Sequence, residues 1–199
     1  MTAARVAPAV ARNRAAIAEV LQSRLPQPGT VVEIASGSGE HAVYFCAAMP
    51  GLTWQPTDRD DAALASIEAW RAQARLANLL PPVRLDAATA DWPVGRADAV
   101  VAINMIHIAP WAATLGLMAG AARLLAPGGL LYLYGPSRQD GQHTADSNAA
   151  FDADLQARDA QWSVRDLGDV VAAAAAEGLA LDRVIPMPAN NLSVLFRRR

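Results

Sequence analysis

Extended apolar runs alternate five times with helical patterns along this 199-residue chain, and its last two extended runs are joined by only "PAN". The alternation predicts an α/β fold in which right-handed crossovers lay parallel strands side by side with helices on both faces. The short join is too brief for a helical crossover and requires an antiparallel hairpin. Together they predict a Rossmann-like, seven-stranded, mostly parallel sheet that ends in a C-terminal antiparallel hairpin.

Each element follows from local signals. A helix over about residues 9–24 is stopped by "PQPG". "TVVEIA" reads as a buried strand and "GEHAVYFCAAM" as the helix after it, closed by Pro50 and Gly51. "LTWQPTD" is a second short strand, which Pro56 either ends or occupies where its missing N–H does no harm. From Asp60, a suitable cap, to about Asn78, Leu64, Ile67, Ala69 and Leu76 recur at helical spacing. "PPVRLD" supplies a third strand, and "ADAVVAINMI" a fourth whose continuous apolar character implies burial on both faces. "APWAATLGLMAGAARLLAPGG" is a helix ended by Pro-Gly-Gly, and "LLYLYG" is the fifth strand. A polar loop, "PSRQDGQHTADSN", precedes helical stretches at 147–159 and 166–177 and then the paired strands "LALDRVIPM" and "NLSVLF". No repeat or long linker divides the chain, so one domain over 1–199 is expected, with residues 1–28 as a helical cap and 137–165 as a lid.

Composition excludes several classes of function. Hydrophobic residues make up 53% of the chain, enough for a real core, and the formal charge of -2 leaves no broad basic field for nucleic acid. Arg197 to Arg199 read as a solvated end. The lone Cys46 cannot form an internal disulfide, and three histidines with one cysteine show no zinc-ligand spacing, so no metal is expected. No run of 18 apolar residues and no secretory h-region occurs, which leads to the expectation of a soluble, cytoplasmic protein with no membrane partner. A Walker lysine and a G-x-S-x-G elbow are both missing. Oligomeric state has no signature in the sequence.

The stretch "VVEIASGSGEHAVYF" concentrates the chemistry. In a wound sheet the ligand lies beyond the carboxyl ends of the strands, so the turn over residues 35–39 lines the site. The helix after it points free N–H groups into the same space. Gly37, Gly39 and Ala42 satisfy the G-x-G-x-x-A dinucleotide form, a weak signal that a purely structural turn would also produce. Asp58 ends the second strand 21 positions after Gly37, where a carboxylate can accept from both ribose hydroxyls or merely cap a helix. Asp86 ends the third strand, either facing an adenine amino group or serving as a turn residue. Glu33, Asp58 and Asp86 thus set an acid at each of three successive strand ends. That pattern suits an adenosine-bearing ligand without phosphates, and S-adenosylmethionine fits. Arg59 keeps a NADP reading open, although Asp58 beside it would repel a 2′-phosphate.

A resemblance sharpens this reading. The same stretch resembles the E-x-G-x-G-x-G motif of class I S-adenosylmethionine-dependent methyltransferases, with Ala35 replacing the first glycine. "EIASGSGEHAVYF", "LTWQPTDRD", "INMIHIAPW", "LYGP", "GQHTADSN", "FDADLQARD" and "MPANNLSVLF" resemble the methyltransferase-like protein 26 family, a domain family of unknown function, from Arg12 and Asn13 to Phe196. The resemblance implies S-adenosylmethionine as cofactor and does not name a substrate; the leading expectation is a methyltransferase that acts on a small-molecule acceptor and leaves S-adenosylhomocysteine as product. The resemblance implies a cofactor site made of Glu33, Ala35, Ser36, Gly37, Gly39, His41, Asp58, Arg59, Asp86, Ala87 and Asn104, with Arg12 and Asn13 closing over it.

Methyl transfer from a sulfonium needs alignment, exclusion of water and sometimes a base. Asn104, leaving the fourth strand, can orient an acceptor. His107 can serve as base near neutrality or simply brace its own turn. His143, in the long polar loop with Thr144, Ser147 and Asn148, is a second candidate for that chemistry, and Tyr134 with Ser137 leaves strand five toward the same face. Trp162 and Arg165 could add an aromatic wall and a carboxylate clamp, or pack in the core. Two other functions stay open: a non-catalytic scaffold that binds the same cofactor, and an NAD(P)-dependent oxidoreductase.

Overall fold

The computed structural model describes residues 4–199; residues 1–3 of the expected N-terminal cap lie outside them. Fifteen elements follow in order: α1 (Pro8–Arg24), β1 (Gly29–Ile34), α2 (Glu40–Ala48), β2 (Leu52–Asp58), α3 (Asp61–Ala74), β3 (Val83–Arg84), β4 (Ala97–Ile103), α4 (Trp111–Leu124), β5 (Leu125–Gly135), β6 (Arg138–Gln139), β7 (Gln142–His143), α5 (Asp146–Arg158), α6 (Leu167–Ala176), β8 (Leu179–Met187) and β9 (Asn191–Arg198). The main sheet runs β3-β2-β1-β4-β5-β9-β8. β1 to β5 pair in parallel, and β9 runs antiparallel to both β5 and β8. This is the predicted seven-stranded, mostly parallel sheet with its terminal hairpin.

Alternation along the central strands explains their unbroken apolar sequence. Val31 of β1 and Ala99, Val101 and Ile103 of β4 pack on one face with Ile17 and Leu21 of α1 and Phe45 of α2. Val32 and Ile34, with Val100 and Ala102, pack on the other against Leu117 and Met118 of α4. Both faces are covered, so neither needs polar residues. The chain leaves β1 toward β2 on one side and returns through β4 on the other. The carboxyl ends of β1 and β4 therefore border a crevice where strand order reverses, the place such sheets bind ligands.

The structure corrects several boundaries. β3 is only two residues long, because Pro81 and Pro82 have no N–H to donate to a ladder. α3 ends at Ala74, with Arg75 in the left-handed region at φ 51°, short of the expected Asn78. α4 stops at Leu124: Leu125 already pairs with Ala97, so "APGG" belongs to a long β5 with an irregular register and does not terminate the helix. The polar loop contains the β6–β7 hairpin, turned by Asp140 and Gly141 at φ 52° and 76°. Asp-Gly is the favoured pair for a two-residue turn with both φ values positive, a legible signal that the expectation of an open loop passed over.

Where α4 meets the segment after β3, Gly116 allows close approach: a Cβ there would overlap the Ala87 carbonyl oxygen and press on Ala88. Gly116→Ala is expected to lower stability by about 1–3 kcal/mol through overpacking, although alanine is the better helix former. A urea midpoint at or above wild type would contradict this packing.

Candidate functional site

A cavity of about 390 Å³ opens at the β1–β4 crevice, within the range of small-molecule sites. Its walls come from the end of β1 and the turn after it (Glu33 to Ser38), His41 of α2, Asp58 and Arg59 after β2, and Leu85 to Ala87 after β3. Ile103 to Met105, Ile108, Ala109 and Ala113 close the β4 side, and Ala7, Ala9 and Val10 approach from the N-terminal segment. Acids and backbone N–H groups gather around the β1 turn, whereas Leu85, Ala87, Met105, Ile108, Ala109 and Ala113 form an apolar half.

The turn is held by the strand beside it. Gly37 donates its N–H to Asp58 Oδ2 at 2.9 Å, and Asp60 donates its own to Oδ1 at 3.0 Å. Ser36 N–H donates to the Thr57 carbonyl at 2.8 Å. Asp58 is thus buried and anchored, yet each carboxylate oxygen keeps acceptor capacity for a ligand. The two glycines do different work. Gly37 has φ 60° and open space where a Cβ would stand, so its bare backbone faces the cavity. Gly39 has φ 92°, and a Cβ there would lie 2.8 Å from Ile67 Cα; it seats the turn on α3 and does not line the cavity. Ala35 adopts φ 55° and so keeps the left-handed backbone that the missing glycine of the motif would adopt freely.

Glu33 lies under the turn. Its Oε2 accepts from Trp54 Nε1–H and from the Ser36 hydroxyl, both at 3.0 Å. Burial pushes its pKa up to about 7 against the pull of those two donors. His41 is also buried, stacked on Phe45 at 5.4 Å, with Nε2 2.9 Å from Asn13 Oδ1. An amide oxygen only accepts, so Nε2 carries the proton. Burial, then the Arg14 charge, lowers the His41 pKa to about 4. Asp86 sits at the rim, accepting from Ala88 N–H at 2.9 Å and 3.8 Å from Arg59 Nη1. Asn104 adopts φ 53°, donates its N–H to the Tyr134 carbonyl at 2.8 Å and lines the cavity.

Other predicted residues lie apart from the cavity. Arg12 is exposed on α1, and Asn13 reaches the site only through His41. Tyr134 is buried in the core, its pKa raised by that burial. His107 turns away from the cavity and packs edge-on against Phe151, its Cε1 3.0 Å from where a Gly135 Cβ would stand. Burial lowers its pKa to about 4. His143 pairs with Asp152, Nε2 to Oδ2 at 3.3 Å. None of residues 137–165 lines the cavity: α5 packs on His107 through Phe151, and the hairpin meets α5 through His143 and Asp152.

An N-terminal cap is expected from the sequence, but not the bonds that hold it over the site. Arg5 N–H donates to Ser66 Oγ at 2.8 Å, Ser66 Oγ–H to the Ser38 carbonyl at 2.8 Å, and Trp70 Nε1–H to the Arg5 carbonyl at 2.8 Å. Ala7 N–H donates to Glu40. These bonds bind the N-terminal segment to the glycine turn. Glu40, Ser66 and Trp70 belong to no motif, and Ala7, Ala9 and Val10 carry no chemistry that a sequence could flag.

The fold is shared with methyltransferases of known structure. The chain is similar to the mitomycin 7-O-methyltransferase MmcR, with TM-score 0.80 and 17% identity over 96% of this chain and 54% of that one. It is similar to an O-methyltransferase family protein from Burkholderia thailandensis, with TM-score 0.79 and 19% identity over 96% and 57%. It is also similar to CalO1, a methyltransferase in calicheamicin biosynthesis solved with S-adenosylhomocysteine bound, with TM-score 0.75 and 19% identity over 93% and 54%. The chain spans little more than half the length of these proteins, and at such identity the likeness is one of fold, the Rossmann-like methyltransferase fold. Residues 4–198 match the family described as "Protein of unknown function (DUF938)", and the chain belongs to it. Among the described residues no helix is long and apolar enough to cross a membrane, and no group of three His, Cys, Asp or Glu could hold a metal ion.

The buried ionisable groups pull stability in opposite directions with pH. His41 and His107 have pKa values lowered from 6.5 to about 4, so their contribution is complete above 6.5 and is lost as pH falls toward 4. Glu33 is raised from 4.5 to about 7, so its contribution is lost as pH rises through that interval. Two unfolded-state protons outweigh one folded-state proton. The unfolding midpoint is expected to rise with pH between about 4.5 and 6.5, and more steeply in Glu33→Gln. Urea titrations across that range measure both slopes.

Proposed function

We propose that the protein is a S-adenosylmethionine-dependent methyltransferase of the methyltransferase-like protein 26 kind, acting on a small-molecule acceptor in the cytoplasm and releasing S-adenosylhomocysteine. The observation that carries this reading is the cavity's charge. Glu33, Asp58 and Asp86 line it, while the one arginine among its walls, Arg59, stands 66% exposed at the rim. Ionised carboxylates only accept, so they suit ribose hydroxyls, an amino group and a sulfonium and repel phosphates, and a cation beside Glu33 would hold that buried carboxyl in its ionised form. A dinucleotide would bring its pyrophosphate to the glycine turn beside Glu33, with no cation of the cavity wall there to meet it, which disfavours the oxidoreductase reading.

The residues present fit the cofactor. In this assignment Asp58 holds the ribose hydroxyls, Asp86 and the apolar half around Ala87 and Ile108 hold the adenine, and the 35–39 turn with Glu33 holds the methionine portion. The bound cofactor supplies an electrophilic methyl group. The chain's task is to orient the acceptor and exclude water, with Asn104 as the polar group at the β4 end. The described part of the N-terminal segment acts as a cap, consistent with Ala7, Ala9 and Val10 on the cavity wall.

A specific observation favours the second reading, a non-catalytic binder: neither His107 nor His143 lines the cavity, and His41, which does, is a weak base. Formation of S-adenosylhomocysteine from S-adenosylmethionine with a panel of hydroxyl, amine and thiol acceptors decides between them.

Cofactor binding itself is tested by calorimetry with S-adenosylhomocysteine. Loss of charge-assisted hydrogen bonds in Asp58→Ala is expected to weaken affinity about tenfold or more. Unchanged affinity would remove the ribose assignment. If Glu33 meets the ligand's ammonium group, wild-type affinity should rise as pH increases through about 7, the value to which burial lifts this carboxyl. Glu33→Gln should flatten that dependence, and an equally steep one would refute the contact.

A further inference from the structure

A second recess, about 400 Å³, lies outside the cavity, between the start of α4, the β6–β7 hairpin and the first turns of α6. Trp111, Arg138, Arg165, Asp166 and Asp169 line it. Arg165 is fixed from behind: Nε donates to the Ile106 carbonyl at 3.1 Å, and Nη2 to the Ala109 and Gln161 carbonyls at 2.6 and 2.8 Å. Its guanidinium also lies 5.7 Å from the Trp111 ring centroid. Arg138 is placed beside it by backbone pairing, its N–H donating to the Arg165 carbonyl at 2.9 Å.

Arg138 is a cation without a partner. Among the described residues no carboxylate lies within 4.0 Å of either guanidinium, and Arg138 Nε is buried with no acceptor. The acids lining the recess form no ion pair with either guanidinium. Asp166 is committed to backbone, Oδ1 to Gly168 N–H at 2.8 Å and Oδ2 to Gly141 N–H at 2.7 Å. Asp169 is exposed. Arg138 faces His143 directly across the hairpin, so their side chains share a face.

We propose that this recess is a binding site for a small organic carboxylate, gripped by the Arg138 guanidinium and laid against Trp111. The planar fork of arginine matches a carboxylate in two-point geometry. Asp166 and Asp169 in the same wall oppose a dianionic phosphate, so a monoanion is the better fit. The site is separate from the cofactor cavity and does not depend on methyl transfer.

The test follows the Trp111 indole N–H by NMR, assigned with Trp111→Phe, while benzoate, its neutral isostere benzamide and inorganic phosphate are titrated separately into the full chain. Benzoate should shift this resonance saturably and benzamide should not. Arg138→Gln should weaken benzoate tenfold or more, and Arg138→Lys, which keeps the charge but loses the fork, should weaken it less. If the Gln variant does not fold, the Lys variant carries the comparison, and undiminished affinity there refutes the proposal. No shift up to the solubility limit of benzoate, an equal response to benzamide, or tighter binding of phosphate would each overturn it. S-Adenosylhomocysteine affinity, measured in parallel, should be the same in wild type and both variants, which keeps this outcome separate from that of the cofactor reading.

Discussion

The carboxyl edge of the sheet depends on one buried carboxylate. Asp58 accepts from the backbone of Gly37 with one oxygen and of Asp60 with the other, joining the turn after β1 to the start of α3. A charged acceptor forms stronger bonds than a neutral one, and burial limits competition from water. The turn that results keeps Gly37 bare toward the cavity and Gly39 pressed on α3. The same residue that shapes the turn therefore stands where a ligand would meet it.

Around that tie the protein balances burial against polarity. Glu33 is deep enough for its pKa to rise to about 7, yet it is retained with Trp54 and Ser36 as donors. A buried carboxyl costs stability unless it is satisfied, and two bonds to one oxygen satisfy it only in part. Such a group is well suited to meet a cationic ligand, which would restore its charge. The N-terminal segment completes the enclosure through backbone bonds to Ser66, Glu40 and the Trp70 indole. Its apolar residues thereby become a cavity wall.

Much of this was legible before any coordinates. The alternation of strands with helices and the "PAN" join follow from periodicity and turn length, because a strand buried on both faces must be apolar throughout and a three-residue connection cannot carry a helix. Acids at strand ends were legible too, since the carboxyl edge of a wound sheet is where polar side chains meet ligand. Less legible were boundaries set by pairing. Leu125 could continue α4 or begin β5, and its bond to Ala97 decides in favour of β5.

The sequence by itself determined the order of elements, the antiparallel end, the glycine turn and the acids at the strand ends, because each is written in neighbouring residues and their spacing. Only the tertiary structure decided which polar groups share a space. His107 and Asn104 are three positions apart, yet Asn104 lines the cavity while His107 packs beneath α5. Arg138 and Arg165, with no motif between them, stand side by side. Side-chain direction at a strand end is set by what packs against it, and those partners come from distant parts of the chain.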